Sequence, residues 1–312
     1  MDYMDADVAY LSGLIVARGT LTEAPAVRQV VIDFPYSTLK LQGNDAEYDQ
    51  ETEILLGLHT IRKRLVDLLE ADVETISGST SATLTIRFLR NSMAWRNILL
   101  LLDNKLSYAH FQVPSVFFDP QIPKDWKIQF VRGYADVAGN IRHANRYVDG
   151  RHRVRLDVLN SPANWQLPVQ LCTLLQEQIG VPVQLINWGH PNMGRAFREH
   201  QINIFAEAFL PIGFSFRHKQ HLLEQFAQRD RQRFPNIGYN PCPGVRRVRR
   251  EKPPADEEQD TQHLPPPLQG RHFNAYFEIC RALGCQRYVR DDREAERFTD
   301  EVEAGIDEEQ TG

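Results

Sequence analysis

Residues 10–21 read Tyr10-Leu11-Ser12-Gly13-Leu14-Ile15-Val16-Ala17-Arg18-Gly19-Thr20-Leu21, and residues 130–141 read Phe130-Val131-Arg132-Gly133-Tyr134-Ala135-Asp136-Val137-Ala138-Gly139-Asn140-Ile141. Each stretch has the pattern of a helix with small residues one turn apart on one face. Gly13 and Ala17 form that ridge in the first, and Gly133 and Val137 in the second. Small residues on a helix face let a second backbone come close. The two stretches therefore predict a seam in which the helices pack on each other and join two halves. Gly19 and Gly139 stand where a left-handed glycine would stop each helix. A strand-like run follows each of them.

The pair resembles the two signature helices of the LAGLIDADG homing-endonuclease family in its single-chain, two-repeat form. Leu11, Gly13, Leu14, Ile15, Ala17 and Gly19 carry the likeness in the first helix, and Val131, Gly133, Asp136 and Gly139 in the second. The resemblance implies an α/β (α+β) fold of two pseudo-symmetric αββαββα repeats with saddle-shaped antiparallel sheets. It implies double-stranded DNA as the partner. In that family the acidic residue just before the last glycine of each helix holds the catalytic divalent metal. Here Arg18 and Ala138 occupy those positions, and neither supplies the oxygen donors that magnesium takes.

The expected function is sequence-selective binding of double-stranded DNA without cleavage, in a regulatory or genome-defence role, with no catalytic residues and no cofactor. The rival is an active, magnesium-dependent endonuclease that uses carboxylates outside the usual positions. A third reading is a protein-interaction module that keeps only the scaffold. By resemblance, Arg18 would face the central phosphates of bound DNA. A helix-terminal arginine is also favoured by the helix dipole alone. Asp136 points away from the position of Ala138 and is suited to a cap or to pairing with an arginine.

Outward from the seam, the pattern returns twice in the same order. Arg28, Val30, Ile32 and Phe34 alternate with Gln29, Val31 and Asp33, which predicts a strand, with Thr38–Leu41 as its hairpin partner. Ile54, Leu58, Ile61, Leu65 and Leu68 recur at helical spacing. Thr83, Thr85 and Arg87 alternate with Leu84, Ile86 and Phe88, and Ser92 is placed to cap a helix carrying Ile98, Leu99 and Leu102. In the second half a helix over 126–138 precedes strands near 141–148 and 152–159. A helix over 165–179 closed by Gly180 comes next, then strands at 181–187 and 201–204, a helix beginning at 205–210 and another at 218–229. The domain reading is a first repeat at 1–104, a linker at 105–123 marked by Pro114, Pro120 and Pro123, a second repeat at 124–230, and a C-terminal extension at 231–312.

The chain's net charge of −5 is unevenly spread. Ten acids and two arginines between residues 291 and 312 give that tail −8, which leaves +3 on the rest. The extension also holds a basic run, Arg246, Arg247, Arg249, Arg250 and Lys252, and is a candidate surface for a protein partner. No apolar run approaches the ~20 residues of a membrane helix. The expectation is a cytoplasmic monomer without a membrane partner.

The candidate DNA contacts concentrate in the second half. Arg151, Arg153 and Arg155 share one side of a strand whose other side is Val154, Leu156 and Val158. Arg142, His143, Asn145 and Arg146 lie just before it, and Gln184, Asn187, Gln201 and Asn203 add amides. Arginine pairs with guanine and amide side chains with adenine in the major groove. In the first half Ser77, Ser79, Ser81, Thr83, Thr85 and Arg87 are the outward set, so the site is expected to be asymmetric. Cys242, His272, Cys280 and Cys285 have the residue types of a structural zinc site, although no Cys-x-x-Cys pair is present.

Overall fold

The structure, a computed structural model, describes residues 4–25, 27–41, 50–144, 150–159, 164, 166–187 and 199–234. The first half runs α1 (Ala6–Arg18), β1 (Gly19–Glu23), β2 (Arg28–Pro35), the short α2 (Tyr36–Leu39), α3 (Gln50–Leu69), β3 (Asp72–Ser77), β4 (Ser81–Phe88) and α4 (Met93–Leu101). The second runs α5 (Lys124–Ala138), β5 (Gly139–Arg142), β6 (Arg153–Val158), α6 (Gln166–Thr173), β7 (Leu185–Asn187), β8 (His200–Phe205), the short α7 (Ala206–Phe209) and α8 (Arg217–Arg233). Each half forms a four-stranded antiparallel sheet. The orders are β1-β2-β4-β3 and β5-β6-β8-β7, the same topology in both. The mixed helices and antiparallel sheets implied by the resemblance are therefore present, with the same strand order in both halves.

The seam holds the halves together. α1 is apolar almost all round, the pattern of a buried helix, and Ala9 to Ala17 are all buried. Its backbone lies directly against α5. A Cβ added at Gly13 would stand 2.0 Å from the carbonyl oxygen of Phe130, and one at Gly133 would stand 2.2 Å from that of Tyr10. Ala17 and Val137, one turn on, are buried in the same seam. Asp5 starts α1 by accepting from the amides of Asp7 and Val8, each at 2.8 Å.

Gly19 and Gly139 do their work differently from the expectation. Both are extended, at φ −88° and −94°, not left-handed. Each helix passes into its strand without a turn. There a Cβ would sit 2.6 Å from the carbonyl oxygen of Ile15 and 2.5 Å from that of Ala135. Steric room against the last helical turn, not a positive φ, calls for glycine here. Gly180, by contrast, is left-handed at φ +77° and ends the helix before it, which finishes in a π-turn over Leu174–Ile179.

Three further expectations are corrected. The hairpin partner of β2 is β1, and Thr38–Leu41 is not a strand. Residues 36–39 form a helical turn, in which the Thr38 hydroxyl lies 2.8 Å from the carbonyl oxygens of both Pro35 and Val137 and can donate its one proton to either. β5 ends at Arg142, so residues 143 and 144 are not strand, and residues 145–148 of the expected run lie outside the described residues. Among the described residues, Asp136 pairs with no arginine. It is fully buried, accepts from the Tyr10 hydroxyl at 2.7 Å and from the Ser215 amide at 2.9 Å, and lies in electrostatic reach of Lys219. Burial raises its carboxyl above the usual range and holds the Lys219 ammonium down at about 8. Lys219 donates to the carbonyl of Gly139 at 2.8 Å, a cation at the end of α5 where exposed carbonyls concentrate.

Residues between α4 and α5 pack as part of the body. Ser107 bridges Thr20 of β1, Tyr108 donates to the Gly19 carbonyl at 2.9 Å, and Phe111 and Phe117 are fully buried. As expected, the Ser92 hydroxyl caps α4, accepting from the Trp95 amide. Among the described residues, no helix is long and apolar enough to cross a membrane.

Candidate nucleic-acid interface

Alternation in β6 decides which side of the second sheet is apolar and which carries the polar side chains. Val154, Leu156 and Val158 are fully buried, and their partners Ile204, Ile202 and His200 are buried with them. The opposite side carries Arg153, Arg155 and Asp157 of β6, with Phe205, Asn203 and Gln201 of β8 beside them. On β5, Asn140 stands opposite Arg155 and Arg142 opposite Arg153. On β7, Asn187 stands in register with Gln201. One sheet face thus collects Arg142, Arg153, Arg155, Asn187, Gln201 and Asn203 from four strands. Arg151 lies just before β6, and its guanidinium stacks over the rings of Phe205 and Phe234 at 5.1 and 4.9 Å. His143 is exposed, with its ring 5.0 Å from Phe226.

Several of these side chains are already engaged within the sheet. Arg153 Nε donates to Gln184 Oε1 at 2.5 Å, and Gln184 is buried. Asn203 is buried too, its amide 3.4 Å from the Gln201 carbonyl. Arg155 lies against Asp157, with Nε 2.9 Å from Oδ1, but that pair is poorly aligned for a hydrogen bond. The aligned contact is Nη2 to Oδ2 at 3.3 Å. Asn140 also donates to Asp157 Oδ2, at 2.6 Å. Burial raises the Asp157 carboxyl to about 6, Glu199 adds to the rise, and Arg155 and Arg142 oppose it. His152 is fixed by Asp230 through its amide (2.9 Å) and ring Nδ1 (2.7 Å), and stacks on Phe226.

The base of the seam lies beside this face, where the Tyr134 hydroxyl donates to the Asp157 carbonyl at 3.0 Å. Arg18, the last residue of α1, pairs through Nη2 with Glu199 Oε1, and its own Nε is buried without a hydrogen-bond partner. Ala138 is buried in the equivalent place on α5. Tyr134, Asp157, Glu199 and Arg18 act on one another electrostatically. Burial raises the Tyr134 hydroxyl first, then the charge of Glu199. Sequence reasoning missed Asp157, Glu199 and Asn140. Asp157 was visible as the third member of the Arg153, Arg155 alternation. Glu199 lies just ahead of β8 and gives no local signal.

The first sheet presents a different open side. Register places Thr20, Thr22, Gln29, Val31, Asp33, Thr83, Thr85 and Arg87 there, with Asp72, Glu74 and Ile76 from β3. Ser77 stands opposite Ala82, in the register of the helix-covered side. Arg87 donates to Asp72 at 2.9 Å and to Glu74 at 2.7 Å, so this face carries more acid than base.

The divalent metal implied by the resemblance does not fit these residues. Asp157 and Glu199, the carboxylates that act on Tyr134 at the base of the seam, are each paired with a guanidinium, and a metal would sit beside two cations. Among the described residues, no three His, Cys, Asp or Glu side chains converge as a metal cluster. Cys242, His272, Cys280, Cys285, Asn145, Arg146 and the acidic tail lie outside the described residues.

The chain thus presents a two-sheet α/β body with one basic, amide-bearing sheet face. No family model and no curated protein matches it. Among solved structures it is similar to mesophilic variants of the homing endonuclease I-DmoI, at 16% identity over 66% of this chain and 87% of that one, with a TM-score of 0.39. It is similar to I-DmoI in complex with DNA and Ca at 14% identity over 70% and 97%, TM-score 0.40. It is also similar to full-length DUF199/WhiA from Thermatoga maritima at 12% identity over 75% and 62%, TM-score 0.41. Likenesses this distant decide nothing about activity.

Proposed function

We propose that the protein binds double-stranded DNA across the polar face of its second sheet, sequence-selectively and without cutting it. One observation carries this reading: the register that gathers Arg142, Arg153 and Arg155 with Gln201, Asn203 and Asn187 on one face. A twisted β-ribbon of that composition suits the major groove, where guanidinium and amide groups discriminate base edges. Arg18 at the seam base and Arg151 at the strand entry add phosphate contacts. Residues 1–104 and 124–230 are assigned to two repeats joined by 105–123, and 231–312 to an extension available to a protein partner. The rival, an endonuclease using displaced carboxylates, draws on Asp157 and Glu199. Their guanidinium partners weigh against it.

The test is retardation of a duplex library, followed by incubation with plasmid DNA and magnesium or manganese. The proposal expects retardation that weakens as salt rises and no cuts. Arg153→Ala combined with Arg155→Ala is expected to weaken binding by about tenfold or more, at ~1 kcal/mol per charge-assisted contact. Unchanged affinity would remove this face from the interface, and specific cleavage would decide for the endonuclease.

A further inference from the structure

We infer that Glu199 occupies a phosphate site on Arg18 and is displaced when DNA binds. The inference rests on the DNA-binding reading and names the step that couples the seam to the duplex. Guanidinium groups take carboxylate and phosphate with the same planar fork. In this structure Glu199 fills only one prong of that fork. Arg18 Nη2 contacts Glu199 Oε1, while Arg18 Nε, buried beside it, has no acceptor. A tetrahedral phosphate can accept from both nitrogens, so the exchange completes what the carboxylate leaves open.

The surroundings favour the exchange. Glu199 raises the Asp157 carboxyl, which means the two acids repel across the seam base. Moving Glu199 into water relieves that repulsion and leaves the Arg18 guanidinium to the incoming anion. Glu199 is one-third exposed, at 32% of its side-chain surface, and stands one residue before β8. It can leave without disturbing the strand ladder. Arg18 is held more firmly, at 20% exposed, on the end of a helix buried from Ala9 to Ala17. The site therefore has a fixed cation and a removable internal anion, which sets a threshold against weak polyanions and admits a duplex that supplies several contacts together.

The experiment compares wild type, Glu199→Gln, Arg18→Ala and the double variant on a duplex of random sequence, with affinity measured across a salt series. Glu199→Gln is expected to tighten binding about fivefold, the worth of a partly buried ion pair no longer broken. Its log–log salt slope is expected to steepen by ~0.9, since Arg18 now releases a counterion that Glu199 had replaced. In the Arg18→Ala background the same substitution is expected to change affinity less than about twofold, because the coupling requires both partners. Glu199→Ala serves as a second variant, and circular dichroism checks that each is folded. Unchanged or weaker binding by both Glu199 variants overturns the inference and leaves the basic face standing. An equal gain without Arg18 also overturns it, since Glu199 would then only repel DNA at a distance. No binding by wild type overturns the inference together with the DNA-binding reading.

Discussion

Replacing Gly13 with alanine tests the seam directly. Alanine normally gains about 1 kcal/mol over glycine inside a helix, so without a close neighbour the variant would be more stable. At this position the new methyl would lie 2.0 Å from the Phe130 carbonyl oxygen and 2.9 Å from the Tyr134 amide nitrogen, both backbone atoms. Ordinary contact begins at 3.4 Å, so α1 and α5 must separate by about 1.4 Å at this point. Neither helix can yield by rotating a side chain. Overpacking a core by less than this costs ~1–3 kcal/mol, and the shift also loosens the layer of Ala17, Val131 and Val137 around it. After the propensity gain, a net loss of at least ~2 kcal/mol is expected. For a protein of this size that lowers Tm by about 4–8 °C, at ~2–4 °C per kcal/mol. Gly133→Ala, 2.2 Å from the Tyr10 carbonyl oxygen, should behave alike. The double variant should lose less than the sum, because one separation makes room for both methyls. Thermal and urea unfolding followed by circular dichroism measure this. A Tm equal to or above wild type in either single variant would refute the close backbone approach.

Two further outcomes follow from the buried charges. Lys219→Met removes the cation from the end of α5 and leaves the Asp136 carboxyl buried with only Tyr10 and Ser215. A loss of ~3–5 kcal/mol in urea unfolding is expected, partly recovered by adding Asp136→Asn; a neutral single variant would show that the lysine is not needed to balance the acid. Asp157, raised from 3.8 to about 6 chiefly by burial, binds its proton more tightly in the native than in the unfolded chain. Its contribution to stability therefore falls as pH rises from about 4 to 6, by up to ~3 kcal/mol for a shift of roughly two units. Measured at both ends of that window, Asp157→Asn should lose this falling component relative to wild type, and an identical pH dependence in the two proteins would contradict it.

The seam was legible because close backbone approach leaves glycine no substitute, and Gly13 and Gly133 carry that signature whatever lies around them. Strand alternation was legible wherever one side is fully apolar, as in β2, β4 and β6. The Ser92 cap and the Gly180 stop were legible because each is a local hydrogen-bond or φ requirement. Thr38–Leu41 misled because its alternating character serves a different end: Thr38 reaches across to the Val137 carbonyl and caps the other half's helix. The charge partners were not legible at all. Arg18 meets Glu199 across 181 residues of sequence and Tyr10 meets Asp136 across 126, and a run of arginines shows nothing of the acids folded against it.

Register relates the two halves residue by residue and sets what each can offer a duplex. Gly19 stands opposite Ile32, which stands opposite Leu84; Gly139 stands opposite Leu156, which stands opposite Ile202. On that alignment the open-side residues Gln29, Val31 and Asp33 correspond to Arg153, Arg155 and Asp157, and Thr85 and Thr83 to Asn203 and Gln201. The acid is common to both halves, while the cations belong to one. Arg87 of the first sheet is neutralised by Asp72 and Glu74, and Asp33 adds a further negative charge. Contact between this face and phosphates would cost energy, so the cations proposed to meet a duplex are Arg18, Arg142, Arg151, Arg153 and Arg155, on and beside the second sheet. Three to five phosphate contacts predict a log–log salt slope of about −3 to −4.5. Arg87→Ala should change affinity less than about twofold, since its charge is already spent on two carboxylates. A slope near −10, or a tenfold loss from Arg87→Ala, would mean that both sheets grip the backbone and that the charge asymmetry has no part in binding.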